Sequence, residues 1–343
     1  MSRRRLYLDA GPGETRGVVT LDGRPERLLI ERPGDLPVQQ YGARAVARIA
    51  SLDRSLASLF LDLGAGPQAM APLASGLSEG AAVEVEITAE ARRGKGPLAR
   101  LVGPGRGPPR LVAPAPGLAT RLAAFAPGER IIEGAEARDA ADAAQDAALA
   151  VEHPLPGGGS IAVEPTRALS AVDVDLGARS GDPRRVARAA NHAAIGEAAR
   201  VLRLKALGGL VVIDLIGRGH DGPALSAAAK TAFAPDEPGV SIGPVSRFGA
   251  FELTLPRRWR PVAEILCDAD GRLSAESRGL ALLRHVERAA LADPGARLLA
   301  RAPPDAAAAA APHMQGLLAR IGARAELAAD PALVAERFEI EVR

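Results

Sequence analysis

Apolar and polar positions alternate through the first third of the chain. In "RRRLYLDAGPGETRGVVTLDGRPERLLIER" (residues 3–32) the alternation is interrupted by Gly-Pro and Asp-Gly, which predicts two or three strands joined by tight turns. The same style continues in "GARAVARIASLDRSLASLFLDLG" (42–64), a strand, turn and strand. It recurs in "GAAVEVEITAEARRGKGPLARLVG" (80–103), a strand pair around the loop Arg92, Arg93, Gly94, Lys95, Gly96. Five or so short strands in this region suggest a small closed barrel. "GPGRGPPRLVAPAPG" (103–117) carries too many Pro and Gly residues for an element and is expected to be a linker.

The period then changes. From Leu118 to about Ala150 it is helical, with "ARDAADAAQDAALA" (137–150) lacking a strong apolar face. Residues 151–262 alternate strands and helices. "GSIAVEPTRALSAVDVDLG" (159–177) is a hairpin, and "DPRRVARAANHAAIGEAARVLRLKAL" (182–207) is a long helix with Val186, Ala190, Ala194, Ala198, Val201 and Leu202 on one face. The pair Gly208-Gly209 is expected to stop it. "LVVIDLI" (210–216) reads as a buried strand, "PALSAAAKTAF" (223–233) as a helix, and "VSIGPVSRFGAFELTL" (240–255) as further strands. The tail (272–343) reads as helix 275–292, strand "ARLLAR", an Ala-rich helix and a last strand "FEIEVR". The pattern as a whole is α+β and layered, in several domains.

Composition narrows this picture only a little. The 343 residues are enough for two or three domains, and 47% hydrophobic with 24% charged residues describes a folded, soluble chain. A net charge of +2 and a pI near 9.0 permit a polyanionic partner without announcing one. The single cysteine, Cys267, excludes an internal disulfide framework. No charged start precedes an apolar stretch, and no run of ~18 apolar residues could span a bilayer, so no membrane partner is expected and the cytoplasm is the default.

The carboxylates carry the chemistry. In "SAVDVDLG" the strand period sets Val172 and Val174 on one face and Asp173 and Asp175 on the other, with Cβ atoms roughly 6–7 Å apart. Asp214 ends an apolar run, where an ionised carboxylate costs several kcal/mol unless it is paired, hydrogen-bonded or metal-bound. If the two strands are neighbours, three carboxylates converge, and a hard divalent cation would relieve their repulsion. Magnesium held this way suits phosphodiester hydrolysis. Spacing alone leaves open the plainer alternative, in which Asp175 and Asp214 cap the turns after their strands.

"LPGGGSIAVEPTRALSAVDVDLGARSG", "NHAAIGEAARVLRLKALGGLVVIDLIG" and "VSRFGAFELTLPR" resemble, in order and spacing, the catalytic core of the ribonuclease E/G family. The barrel region is similar to that family's RNA-binding barrel. The resemblance implies a magnesium-dependent endoribonuclease that cuts single-stranded RNA and leaves a 5′-phosphate. The fold it implies is an OB-type barrel (35–107) inserted in a reduced ribonuclease-H-like domain (1–34 and 108–150). A deoxyribonuclease-I-like catalytic domain (151–262), a degenerate zinc-link (263–272) and a small α/β domain (273–343) follow.

By the same resemblance Asp173 and Asp214 fall on the magnesium-binding aspartates, and Asp175 stands where the family has Asn. Phe60 matches a base-stacking aromatic whose usual partner is here Met70. The loop Arg92, Arg93, Lys95 reads as a phosphate clamp, because its glycines let backbone N–H groups approach an anion. Arg200, Arg203 and Lys205 match a basic helix, and Arg247 with Phe248 an SRFG turn, so Arg203, Lys205 and Arg247 are assigned to RNA.

The departures are specific. Gly217 replaces a second acid, one backbone-contacting Arg is absent, and the segment that senses a 5′-monophosphate is reduced to a stub. Where the family shares a zinc between two protomers through a CPxC pair, this chain has Cys267 with Asp268 and Asp270. A Cys267/Asp270 zinc site in a homodimer is chemically conceivable but disfavoured by the loss of a thiolate. His192 and His220 receive no chemistry. The reading that competes with a nuclease is a catalytically weak RNA-binding protein on the same scaffold.

Overall fold

The computed structural model describes residues 3–92, 94–178 and 180–343, and it is a mixed α+β structure built on four sheets. Strands β1 (Arg4–Gly11), β2 (Glu14–Leu21) and β3 (Arg24–Glu31) form an antiparallel meander. Asp22 and Gly23 turn β2 into β3 with φ of 51° and 79°. Two consecutive positive φ values match the right-handed twist of the flanking strands.

The second sheet contains β4 (Arg44–Asp53), β5 (Ser58–Asp62), β6 (Ala69–Pro72), β7 (Ala82–Ala89) and β8 (Leu98–Pro104). Pairings run β4–β5, β5–β6, β6–β8, β8–β7 and β7–β4, so the five strands close into a ring. A bulge between Ile49 and Ser51 bends β4 so that it can serve both neighbours. Ala45, Ala47, Ile49, Leu59, Leu61, Val85 and Ile87 fill the interior. The expected linker also supplies a strand, since β9 (Arg110–Ala113) pairs antiparallel with β4. Its Pro and Gly residues exclude a central strand but leave the short stretch between them free to add an edge.

After β9 the chain returns to the first sheet through α1 (Leu118–Phe125), β10 (Ile131–Ile132) and α2 (Ala135–Leu149). β10 pairs parallel to β1. Leu118 and Leu122 pack with Leu6, Val19 and Leu29 on one side of the sheet. On the other side Ala137, Ala141, Ala144 and Ala148 meet Tyr7, Val18, Leu28 and Ile30. The stripe of α2 is apolar but made only of methyl groups, which lets the helix sit close and explains its weak signal.

The third sheet holds β11 (Glu152–Pro154), β12 (Ser160–Pro165) and β13 (Ser170–Asp175). Helix α3 (Pro183–Leu204) leads to β14 (Gly209–Asp214), and α4 (Gly222–Phe233) leads to β15 (Ser241–Val245) and β16 (Ala250–Leu255). The order is β11-β12-β13-β14-β16-β15, with β13 and β14 parallel and the other neighbours antiparallel. One face packs on α3 and α4 through Ile161, Val172, Val211, Ile213, Phe251, Ala194, Ile195 and Leu202. The opposite face is open, with Glu164, Asp173, Asp214 and Glu252 exposed.

Helix α3 ends before the glycine pair, which corrects the expected stop. Ala206 takes the left-handed conformation at φ 55°, and Leu207 N donates to Leu202 O at 2.9 Å, a Schellman closure. Gly208 and Gly209 instead pass beneath Arg257, where a Cβ on Gly209 would collide with its guanidinium.

A short helix α5 (Val262–Leu266) leads to the last sheet, made of β17 (Leu298–Ala302), β18 (Ala325–Ala329) and β19 (Glu339–Val342), with α6 (Ala275–Ala292), α7 (Pro304–Ala310) and α8 (Met314–Ile321). The Ala-rich tract is two helices divided by a turn at Ala311–His313. β18 escapes sequence reading because "AELAA" has no β-branched or aromatic residue.

The barrel is fastened at Glu90. Its backbone N donates to Arg258 O, and its carboxylate accepts from Tyr41 N at 3.2 Å and Arg260 N at 2.9 Å. Burial raises the Glu90 carboxyl above its usual range despite these donors. Arg260 also pairs with Asp35, and Tyr41 and Phe125 stack edge-on against Trp259.

Among the described residues, no helix is long and apolar enough to cross a membrane.

On β11, His153 is buried beside the α3 cations, and its Nε2 has no hydrogen-bond partner among the described residues. Burial, and then the charges of Lys205 and Arg200, push its pKa down from 6.5 to about 4. The unfolded chain therefore takes up this proton first as pH falls, so stability is lost between about pH 6.5 and about pH 4. The loss is on the order of 3 kcal/mol. Urea titrations at pH 7, 6 and 5 should show it, and His153→Leu should flatten the profile above pH 5.

Candidate active site

Alternation places the acids. In β13, Val172 and Val174 point into the core and Asp173 and Asp175 out of it. In β14, Val211 and Ile213 are buried while Leu210, Val212 and Asp214 lie on the other face. The expectation of a fully buried strand is corrected here. An unbroken apolar run mimics burial on both faces, but only one face of this sheet is covered.

The parallel register sets Asp173 directly beside Asp214. Adjacent strands run about 4.8 Å apart, so the two carboxylates share one patch of the open face. Both are exposed, and among the described residues neither has a hydrogen-bond donor or a cation as partner. Two unpartnered hard oxygen donors at this separation fit a divalent cation such as magnesium, which is commonly held by one or two carboxylates and completed by water or phosphate. Among the described residues no cluster of three or more acidic, His or Cys side chains adds to them. Asp175 also faces out, but its Oδ1 accepts from Gly177 N at 2.6 Å and so caps the turn that follows.

The pair lies at the carboxyl ends of two parallel strands, with the N-termini of α3 and α4 beyond them. Open α/β sheets bind ligands in this position. Arg184, Arg185, Arg188, Arg218 and Arg247 are exposed around it. Arg188 is paired with Asp221, the N-cap of α4. The loop after Asp214 is tied to α3 by Asn191, whose side chain donates to Ile216 O at 2.9 Å and accepts from Ile216 N at 3.0 Å. Sequence reasoning named Arg247 but missed this Asn and the arginines at 184, 185, 188 and 218. A lone Asn within an otherwise Ala-rich helical face was the available signal.

The residues assigned to RNA divide. Phe60 projects from the outer surface of the barrel, half-buried, and faces Met70 across the strands, while Leu59 and Leu61 point inward. Arg92 and Lys95 close their loop by mutual backbone hydrogen bonds of 3.0 and 2.7 Å, with Lys95 exposed. Arg93 lies outside the described residues. Arg247 is exposed on the turn between β15 and β16.

Arg203 and Lys205 require correction. Arg203 is buried between the first and third sheets, pairing with Asp236 at 2.7 Å and Glu26 at 3.0 Å. Burial raises the Glu26 carboxyl, but the hydrogen bond from Arg4 and the charges of Arg203 and Arg4 outweigh it and hold the pKa below the usual range. Lys205 is also buried, donating to Ala148 O and Ala150 O at the end of α2, and burial pushes its pKa down to about 8. Arg200 bonds Glu197 and Pro25 O in the same layer. These cations hold sheets together and do not face a ligand.

Cys267 is half-buried and packs on the core under α2. Burial, then the Asp268 charge, pushes its thiol pKa up, away from the thiolate that zinc requires. Asp268 accepts from Asp270 N and Arg272 N, folding the segment into a turn with the Asp270 side chain exposed.

Residues 129–258 match the model of the ribonuclease E/G family. The chain is 36% identical over 148 residues to ribonuclease E of Haemophilus influenzae, covering 40% of this chain and 16% of that protein. It is 35% identical to ribonuclease E of Escherichia coli over 148 residues, 40% of this chain and 14% of that one. The ribonuclease E/G-like chloroplastic protein of Arabidopsis thaliana is 30% identical over 135 residues, 36% of this chain and 13% of that one. The match thus spans about a sixth or less of the length of these curated relatives.

The burial of Arg203 makes a mutational contrast. Arg203→Ala leaves Glu26 and Asp236 short of a partner in the interface and should destabilise the protein by about 3–5 kcal/mol. Urea denaturation would measure it. Affinity of the still-folded fraction for single-stranded RNA should be unchanged.

Proposed function

We propose, on the premise that residues 129–258 belong to the ribonuclease E/G family, that this chain is an endoribonuclease acting on single-stranded RNA in RNA processing or decay. The observation that carries the proposal is the side-by-side position of Asp173 and Asp214 on an open sheet face, with no protein partner among the described residues. These two side chains would hold Mg2+. Bound there, the ion would lower the pKa of a water and neutralise charge building on the phosphate.

The remaining work falls to the chain itself. Exposed Arg218 and Arg247 attract the RNA backbone toward the pair, and the free oxygen of Asp175 is placed to orient a water. Hydrolysis breaks the bond between phosphorus and the 3′ oxygen, leaving a 5′-phosphate and a 3′-hydroxyl. The closed five-stranded ring supports reading 35–107 as an OB-type barrel that guides the strand, with Phe60 stacking a base and Arg92, Arg93 and Lys95 meeting phosphates. We read the sheet flanked by α1 and α2 as ribonuclease-H-like and the third sheet as deoxyribonuclease-I-like. A cytoplasmic location accords with the single cysteine. A homodimer sharing zinc through Cys267 and Asp270 is not part of the proposal.

A second reading, an RNA-binding protein with weak catalysis, is favoured by Gly217, which stands where the family has a second acid. One assay separates the two. Purified protein should cleave labelled single-stranded RNA with magnesium but not with EDTA, and Asp214→Asn should lower the rate by roughly 10²-fold or more. Tight binding without cleavage would support the second reading. On the reading that the 5′-sensing segment is reduced to a stub, RNAs bearing a 5′-monophosphate or a 5′-hydroxyl should be cut at equal rates in the same assay.

A further inference from the structure

Past the end of β14 lies a cleft of about 960 Å³ bounded by the turn Ser246–Gly249, the loop 217–220 and the start of α4. The turn is rigidly built. Ser246 N donates to Ala250 O, Gly249 N to Ser246 O, and the Ser246 hydroxyl accepts from Phe248 N and Ala250 N. Leu215 N then bonds Gly249 O, which locks the turn to the residue after Asp214. This scaffold holds Phe248 out in solvent at 81% exposure, the highest of the large apolar side chains described as exposed. The guanidinium of Arg247 lies over one face of its ring, 4.6 Å from the centroid.

An apolar ring held in water by four hydrogen bonds, backed by a cation on one face and bare on the other, is a stacking surface without its stack. Its position is also specific. Ala250 is the cross-strand partner of Asp214, and Phe248 lies two residues before it on the turn that Leu215 N fastens, so the turn stands beside the end of β14.

We propose that Phe248, backed by Arg247, is a platform for the nucleobase next to the scissile phosphate of a single-stranded RNA. The proposal rests on the nuclease reading above and adds a base subsite to it. Arg247 contributes twice, as a cation behind the ring and as a charge toward the backbone. Stacking accepts any base, so the platform positions the strand without selecting its sequence.

The test uses the full chain and a fluorescent single-stranded RNA in EDTA, where binding proceeds without cutting. Phe248→Ala and Phe248→Leu should weaken binding roughly 5- to 100-fold, whereas Phe248→Trp should retain it. RNAs with a single abasic nucleotide placed at successive positions should lose the same factor at one position with the wild type and at none with Phe248→Ala. Equal affinity of wild type and Phe248→Ala would overturn the platform and leave the nuclease reading standing. A wild type that binds no single-stranded RNA would remove both. If Phe248→Ala instead lowers the mass seen by light scattering, the ring serves a protein contact and the base subsite is wrong.

Discussion

The parallel pairing of β13 with β14 is the constraint on which the site depends. Side chains in a strand alternate faces, so the register that sets Asp173 beside Asp214 is the same one that buries Val172, Val211 and Ile213 under α3 and α4. A slip of one residue would turn Asp214 into the core and Ile213 into water, a change the helices would resist with every buried methyl group. The acids are held together by the hydrophobic packing on the far side of the sheet, and no contact of their own is required.

Charge is used differently one layer away. The first sheet meets α3 and the end of α4 through ion pairs whose acids are buried, where Arg4 and Arg203 share Glu26, Arg27 and Arg203 share Asp236, and Arg24 and Arg200 share Glu197. Buried pairs of this kind often add little net stability compared with apolar packing, but each charge left without its partner is costly. Such an interface tolerates only one relative placement of the two sheets. The basic residues of α3 are therefore divided by position. Those near its N-terminus remain in solvent around the acids, and those near its C-terminus are consumed by the interface.

Much of the third sheet was legible in the sequence because its elements are long and its period clear. The two-residue period of "SAVDVD" gave the outward direction of Asp173, and the helix 275–292 appeared with the expected bounds. What was not legible shares a cause. The burial of Arg203 and Lys205, the openness of β14 and the exposure of Phe248 depend on which faces are covered by distant segments, and local pattern carries no record of that. β9 and β18 were missed because edge strands can form from sequences with weak intrinsic preference when a neighbouring strand supplies the hydrogen bonds.

The fastening at Glu90 has a mechanical meaning. Arg258 and Arg260 bind Glu90, just past the end of β7, and so tie the barrel to the segment that follows β16. A polymer that touches Phe60 and also reaches the end of β14 must span a gap whose length that tie helps to set. The ruler belongs to the protein, and all of the give belongs to the polymer.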